Sequence, residues 1–106
     1  MITKREIYEK ALSAFGIHAQ VGMVFEEMAE LQKALCKWER GKPDMENIAE
    51  EIADVQIMLE QMTQFFCIRE QVEMEKDRKL SRLWDRMKDI QPEHVSYTPE
   101  QCGREK

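Results

Sequence analysis

Proline and glycine are scarce in this chain, with three and four residues among 106. Few points are therefore fixed where a helix must stop. Aromatic residues make up only 8%. No apolar run approaches the ~18 residues of a membrane span, and no Glu-x-x-His pair suggests a ferritin-like di-iron bundle. The three cysteines, Cys36, Cys67 and Cys102, are odd in number and far apart. They form no C-x-x-C, which argues against a disulfide framework or a zinc knuckle. Free thiols suit a reducing compartment. The segment Met1-Ile2-Thr3-Lys4-Arg5-Glu6 lacks the apolar centre of a secretion signal. The expectation is a soluble, cytoplasmic protein with no membrane partner. A basic surface is missing as well: the formal net charge is −5 and the isoelectric point about 5.1. A general nucleic-acid binder needs the opposite balance.

What is present is charge and apolar side chains in alternation, 35% and 42% of the sequence. That mixture suits amphipathic helices, and the length suits one small domain. Four helices are expected. Thr3 and Glu6 have the form of a capping box for a helix from about Lys4 to Phe15, with Gly16 as its C-terminal cap. The second runs from about His18 to Arg40, with Val21, Val24, Phe25, Met28, Leu31 and Leu35 as its apolar stripe, and ends at Gly41. Asp44 caps a third from about Met45 to Phe66, whose stripe is Ile48, Ile52, Val55, Leu59, Met62 and Phe66. After a break near Cys67, a fourth extends from about Arg69 to Lys88, with Val72, Leu80, Leu83 and Met87 inward. Short connections favour an antiparallel bundle. The domain is expected over residues 1–89, followed by a loosely ordered tail at 90–106 that contains Pro92, Pro99 and Gly103. Helices this amphipathic on so short a chain favour a homodimer or homotetramer.

The chemistry concentrates in two short runs. Glu26-Glu27-Met28-Ala29-Glu30 and Glu50-Glu51-Ile52-Ala53-Asp54 each hold two acids three positions apart, neighbours on one helix face. If the second and third helices form a hairpin, Glu27, Glu30, Glu51 and Asp54 converge. Four converging carboxylates must be solvated or hold cations. Hard divalent ions with a taste for oxygen, such as Mg²⁺, are the natural partners. By spacing alone, solvated surface acids are the better fit. At ~100° per residue, however, Glu51 and Asp54 lie on the flank of the apolar stripe, in line with Met58 and Phe65, where a solvating acid is not expected.

Glu26-Glu27-x-x-Glu30 followed by Glu51-x-x-Asp54 on the next helix resembles the MazG-like all-α nucleoside triphosphate pyrophosphohydrolases, a superfamily that includes the dimeric dUTPases and dCTP pyrophosphatases. The likeness covers roughly residues 18–88, including the settings Met-Ala-Glu-Leu and Ile-Ala-Asp-Val. It implies that Glu27, Glu30, Glu51 and Asp54 bind Mg²⁺, for which Mn²⁺ can substitute. It implies cleavage of a nucleoside triphosphate between its α- and β-phosphates to a monophosphate and pyrophosphate, in clearance of unwanted nucleotides. Glu26 or Glu27 is the candidate general base for the attacking water. Lys76, Lys79 and Arg82 stand where the family places phosphate ligands, although Ser81 stands where it places Asn; a solvated face fits these basic residues too. Trp38 and Phe15 are candidates for a base pocket, and Trp38 fits packing or an interface as well. The rival expectation is a non-enzymatic helical interaction module on the same bundle.

Overall fold

The structure is a computed structural model that describes residues 1–91. Most of the expected tail therefore lies outside the described residues. Four helices and no strand occur among the described residues: α1 (Lys4–Phe15), α2 (Ile17–Glu39), α3 (Met45–Phe65) and α4 (Arg69–Met87). All are within two residues of the expected spans, because the local signals that start and stop them are explicit. Thr3 accepts from the Glu6 backbone N–H at 3.1 Å while the Glu6 carboxylate accepts from the Thr3 N–H at 2.9 Å. This is the reciprocal capping box. The Asp44 carboxylate accepts from the Asn47 N–H at 3.0 Å and opens α3. Gly41, at φ +81°, closes α2 in the left-handed region, its successor Lys42 donating to the Lys37 carbonyl at 2.9 Å.

The end of α3 has no glycine to mark it. Cys67 takes the left-handed position instead, at φ +57°. Its N–H donates to the Gln64 carbonyl and that of Ile68 to the Thr63 carbonyl, both at 3.2 Å. The pattern is a Schellman closure built on a residue that carries a Cβ penalty there.

The chain falls into two compact units, residues 1–72 and residues from 73 on. In the first, α2 and α3 form an antiparallel hairpin, and α1 packs against both. The Tyr8 hydroxyl donates to Glu60 at 2.6 Å, Lys4 pairs with Glu60 at 3.4 Å, and the Gln64 amide donates to the Arg5 carbonyl at 3.2 Å, so α1 is pinned to the far end of α3. The buried residues are Tyr8, Gln20, Ala34 and Met58. Full burial of a side chain the size of Met58 contributes roughly 1.5–3 kcal/mol.

The facing rows differ from those expected. On α2 the covered row is Ile17, Gln20, Val24, Glu27, Leu31 and Ala34; on α3 it is Ile48, Glu51, Val55, Met58 and Met62. These recur at alternating steps of three and four, the seam of a coiled-coil-like pair. Phe25, Met28 and Leu35 on α2, and Ile52, Leu59 and Phe66 at α3, assigned inward by sequence, are instead exposed. Each helix carries two adjacent apolar rows, and summed apolarity does not say which one faces the partner. The row containing Ala34, 3% exposed, permits the closer approach of the two backbones.

The second unit contains α4 from Glu73 onward. Its Leu80, Leu83 and Met87, expected inward, are exposed together with Trp84. Charged residues flank this ridge on both sides and pair along the helix, Lys76 with Glu73 at 3.3 Å and Lys88 with Asp85 at 3.6 Å. No helix among the described residues is long and apolar enough to cross a membrane.

Candidate metal centre

The seam that joins α2 to α3 carries carboxylates where a helix pair normally has apolar side chains. Glu27 from α2 and Glu51 and Asp54 from α3 each offer an oxygen, and the three oxygens lie within 4.8 Å of one another. All three residues are partly buried. The Asp44 cap and the Gly41 turn fix where α3 starts, and so bring its second turn against the third turn of α2.

Electrostatics makes the cluster unfavourable by itself. Burial first, then the charges of Asp54 and Glu51, hold the Glu27 carboxyl above its ordinary value; a hydrogen bond with Asp54 and the Glu26 charge add to this. Burial, followed by the charges of Asp54, Glu30 and Glu50, does the same to Glu51. Glu30 and Glu26, expected at the same site, are exposed and are not among the residues whose oxygens come together here. One Glu51 carboxylate oxygen is buried and has no hydrogen-bond partner. Such an oxygen costs on the order of 1–3 kcal/mol when left unsatisfied, more when it carries charge. A divalent cation fits this donor set. It is small enough to be shared by three oxygens, and its charge removes the repulsion among them.

The other expected residues lie apart from the seam or in the second unit. Trp38 is on α2, three turns beyond Glu27, and half exposed at 51%. Phe15, the last residue of α1, is exposed at 68%. Lys76, Lys79 and Arg82 are exposed on α4 within the second unit, and Lys76 is already paired with Glu73.

Three polar residues were missed from sequence. Gln20 is only 6% exposed, and Gln61 is partly buried. Both line a cavity of about 230 Å³ between α1, α2 and α3, together with Tyr8. A signal did exist: Gln20 is one heptad before Glu27, and Gln61 one heptad after Asp54. The same antiparallel seam that gathers the acids also gathers these amides.

No protein family matches the chain, and neither a curated protein nor a solved structure matches it.

Proposed function

We propose that this chain is a Mg²⁺-dependent nucleoside triphosphate pyrophosphohydrolase of MazG-like type, acting as a homo-oligomer in the cytoplasm. The observation that carries the reading is the unpartnered, buried Glu51 oxygen inside a cluster of three carboxylates on a helix seam. A purely structural seam would favour apolar side chains at these positions. The resemblance of Glu26-Glu27-x-x-Glu30 and Glu51-x-x-Asp54 to the family's acid pairs supports the same reading.

In this reading Glu27, Glu30, Glu51 and Asp54 hold Mg²⁺ or Mn²⁺. The bound ion supplies Lewis-acid chemistry, neutralising the phosphates and the charge that develops on departing pyrophosphate. Glu26 or Glu27 accepts a proton from a water aligned with the α-phosphorus. A bond forms between that water oxygen and the α-phosphorus, and the bond to the α–β bridging oxygen breaks. Lys76, Lys79 and Arg82 are the phosphate ligands that the resemblance implies.

A second reading, a helical interaction module without catalysis, draws on the exposed rows at Phe25, Met28, Leu35, Ile52, Leu59 and Phe66. One assay separates the two. The protein is incubated with each NTP and dNTP in the presence of Mg²⁺, and pyrophosphate is measured. Release with at least one nucleotide, lost about a hundredfold or more in Glu51→Gln and Asp54→Asn variants that stay folded, supports the enzyme. A folded wild type that releases none favours the module.

A further inference from the structure

One heptad along the seam from the carboxylates, α1 closes over α2 and α3 to leave the cavity of about 230 Å³. Its walls include Tyr8, Leu12, Gln20, Gln61, Gln64 and Phe65. Three glutamine amides border this one small cavity. Gln20 is the most buried polar residue of the described chain, and its amide forms no side-chain hydrogen bond among the described residues. Gln61 spends its N–H₂ only on the Met58 sulfur at 3.7 Å, a weak acceptor. Gln64 donates to the Arg5 carbonyl at 3.2 Å, which leaves its carbonyl oxygen available. The Tyr8 hydroxyl is committed to Glu60 at 2.6 Å, so the wall behind the amides is fixed. The Glu51 oxygen is the one buried side-chain polar atom without a partner among the described residues, so the amide atoms of Gln20 and Gln61 are not sealed off and stay open to a ligand in the cavity.

We infer that this amide-lined cavity binds the heterocyclic base of a nucleotide, with Gln20 and Gln61 reading adjacent donor and acceptor groups on the base edge. An amide carries one acceptor and two donors in a plane, the complement of a base edge, and glutamine pairs with bases in this bidentate way. Phe65 and Leu12 offer the apolar contact that a ring face needs. The volume is below the ~300 Å³ at which sites for whole drug-sized ligands begin, so the cavity takes the base end and leaves the phosphates outside. Seven residues of helix span roughly 10 Å, about the reach from the phosphates of a nucleotide across its sugar to the base. The inference rests on the hydrolase reading for its choice of ligand, but it concerns a different set of residues.

The test uses nucleosides, which carry no phosphate and need no metal. Binding of deoxyuridine, deoxycytidine, deoxyadenosine and deoxyguanosine to the full chain is followed by calorimetry. Wild type is compared with Gln20→Met, Gln61→Met and Asp54→Asn, with a melting curve for each. Methionine keeps the shape and removes the amide. We expect one base to bind in preference to the others, both methionine variants to weaken it about tenfold or more while melting no lower than wild type, and Asp54→Asn to bind it as wild type does. Failure of all four nucleosides to bind at millimolar concentration, or unchanged binding in both folded methionine variants, overturns the inference. Pyrophosphate release with an unaltered base preference in those variants would overturn it while the hydrolase stands. Nucleoside binding lost in Gln20→Met without pyrophosphate release from wild type would sink the hydrolase and keep the cavity.

Discussion

Glu27 and Asp54, from antiparallel helices, hold carboxyl oxygens within 4.8 Å of each other in the seam that joins α2 to α3. At neutral pH this contact opposes folding. Glu27 and Glu51 both have raised proton affinities in the folded chain. A group whose folded value lies above its unfolded one stabilises the fold below the unfolded value, and that contribution is lost as pH rises through the folded one. In chelator-treated protein, then, the melting temperature should rise as pH is lowered from 7 toward 5. Adding millimolar Mg²⁺ or Mn²⁺ at pH 7 should raise it by several degrees and flatten the dependence, since a ligand of the native state stabilises by mass action. Scanning calorimetry at pH 5, 6 and 7, with chelator and with metal, measures both. A melting temperature that ignores metal at pH 7 would remove the cation from the site.

Tyr8 and Glu60 make a second contact with a pH signature of its own. Burial, then the hydrogen bond and charge of Glu60, push the Tyr8 phenol from 10.0 up to about 12. That hydrogen bond, with Lys4, holds Glu60 below its ordinary value. The Tyr8 contribution is complete below pH 10 and is lost between about 10 and 12; the Glu60 contribution is lost as pH falls below its ordinary value of 4.5. Tyr8→Phe should destabilise the fold by about 1 kcal/mol at pH 7, a modest figure because Glu60 is nearly half exposed. It should also remove the part of the alkaline decline that Tyr8 causes. Urea unfolding of the two proteins at pH 7, 10 and 11 gives the difference directly. A gap that does not narrow at pH 11 would mean the phenol is not what holds α1 to α3.

The local signals of this chain were easy to read and the packing was not. Thr3, Glu6, Gly41 and Asp44 announce helix ends through hydrogen bonds to residues within a few positions. Such signals do not depend on the rest of the molecule. The rows that face across the α2–α3 seam depend on a choice between two apolar stripes that differ by one step around each helix. Apolarity favoured Ile52 and Leu59, which are exposed, over the row that contains Glu51 and Met58. The convergence of Glu27, Glu51 and Asp54 was legible because i, i+3 pairs and a short turn suffice to bring them together. Gln20 and Gln61 were marked only by their heptad spacing from Glu27 and Asp54, and spacing alone does not say that an amide is covered. The break near Cys67 was legible from where the two helical stripes end and begin, but its left-handed residue was not, because no glycine marks it.

That break offers an independent check on the α3 terminus. Cys67 pays the Cβ penalty of the left-handed region, about 1–2 kcal/mol relative to glycine, and its side chain makes only a long contact of 3.9 Å to the Phe65 carbonyl. Cys67→Gly should stabilise the chain by about 1 kcal/mol, less than the full penalty because glycine also gains freedom in the unfolded state. The midpoint of urea unfolding should rise with no change in its slope. A lower midpoint would show that α3 does not close through a Schellman turn at this residue.

The outward rows bear on assembly. Met45, Ile52, Leu59 and Phe66 recur every seven residues and are 58%, 40%, 47% and 52% exposed. Phe25, Met28 and Leu35 make a comparable row on α2, at 68%, 44% and 45%. Contiguous apolar rows of this kind on a hairpin match the inner face of a four-helix bundle, completed when a second hairpin covers the first. Sedimentation of the wild type at micromolar concentration should give a dimer or tetramer, with a melting temperature that rises with protein concentration. Leu59→Glu introduces a charge at the middle of the α3 row. In a monomer, a surface substitution of this sort changes stability by no more than about 0.5 kcal/mol. In an oligomer it buries a carboxylate in each subunit, should cost several kcal/mol, and should move the sedimentation to the monomer. A wild type that sediments as a monomer, with a melting temperature independent of concentration and equal to that of Leu59→Glu, would leave these rows solvated and rule out the assembly.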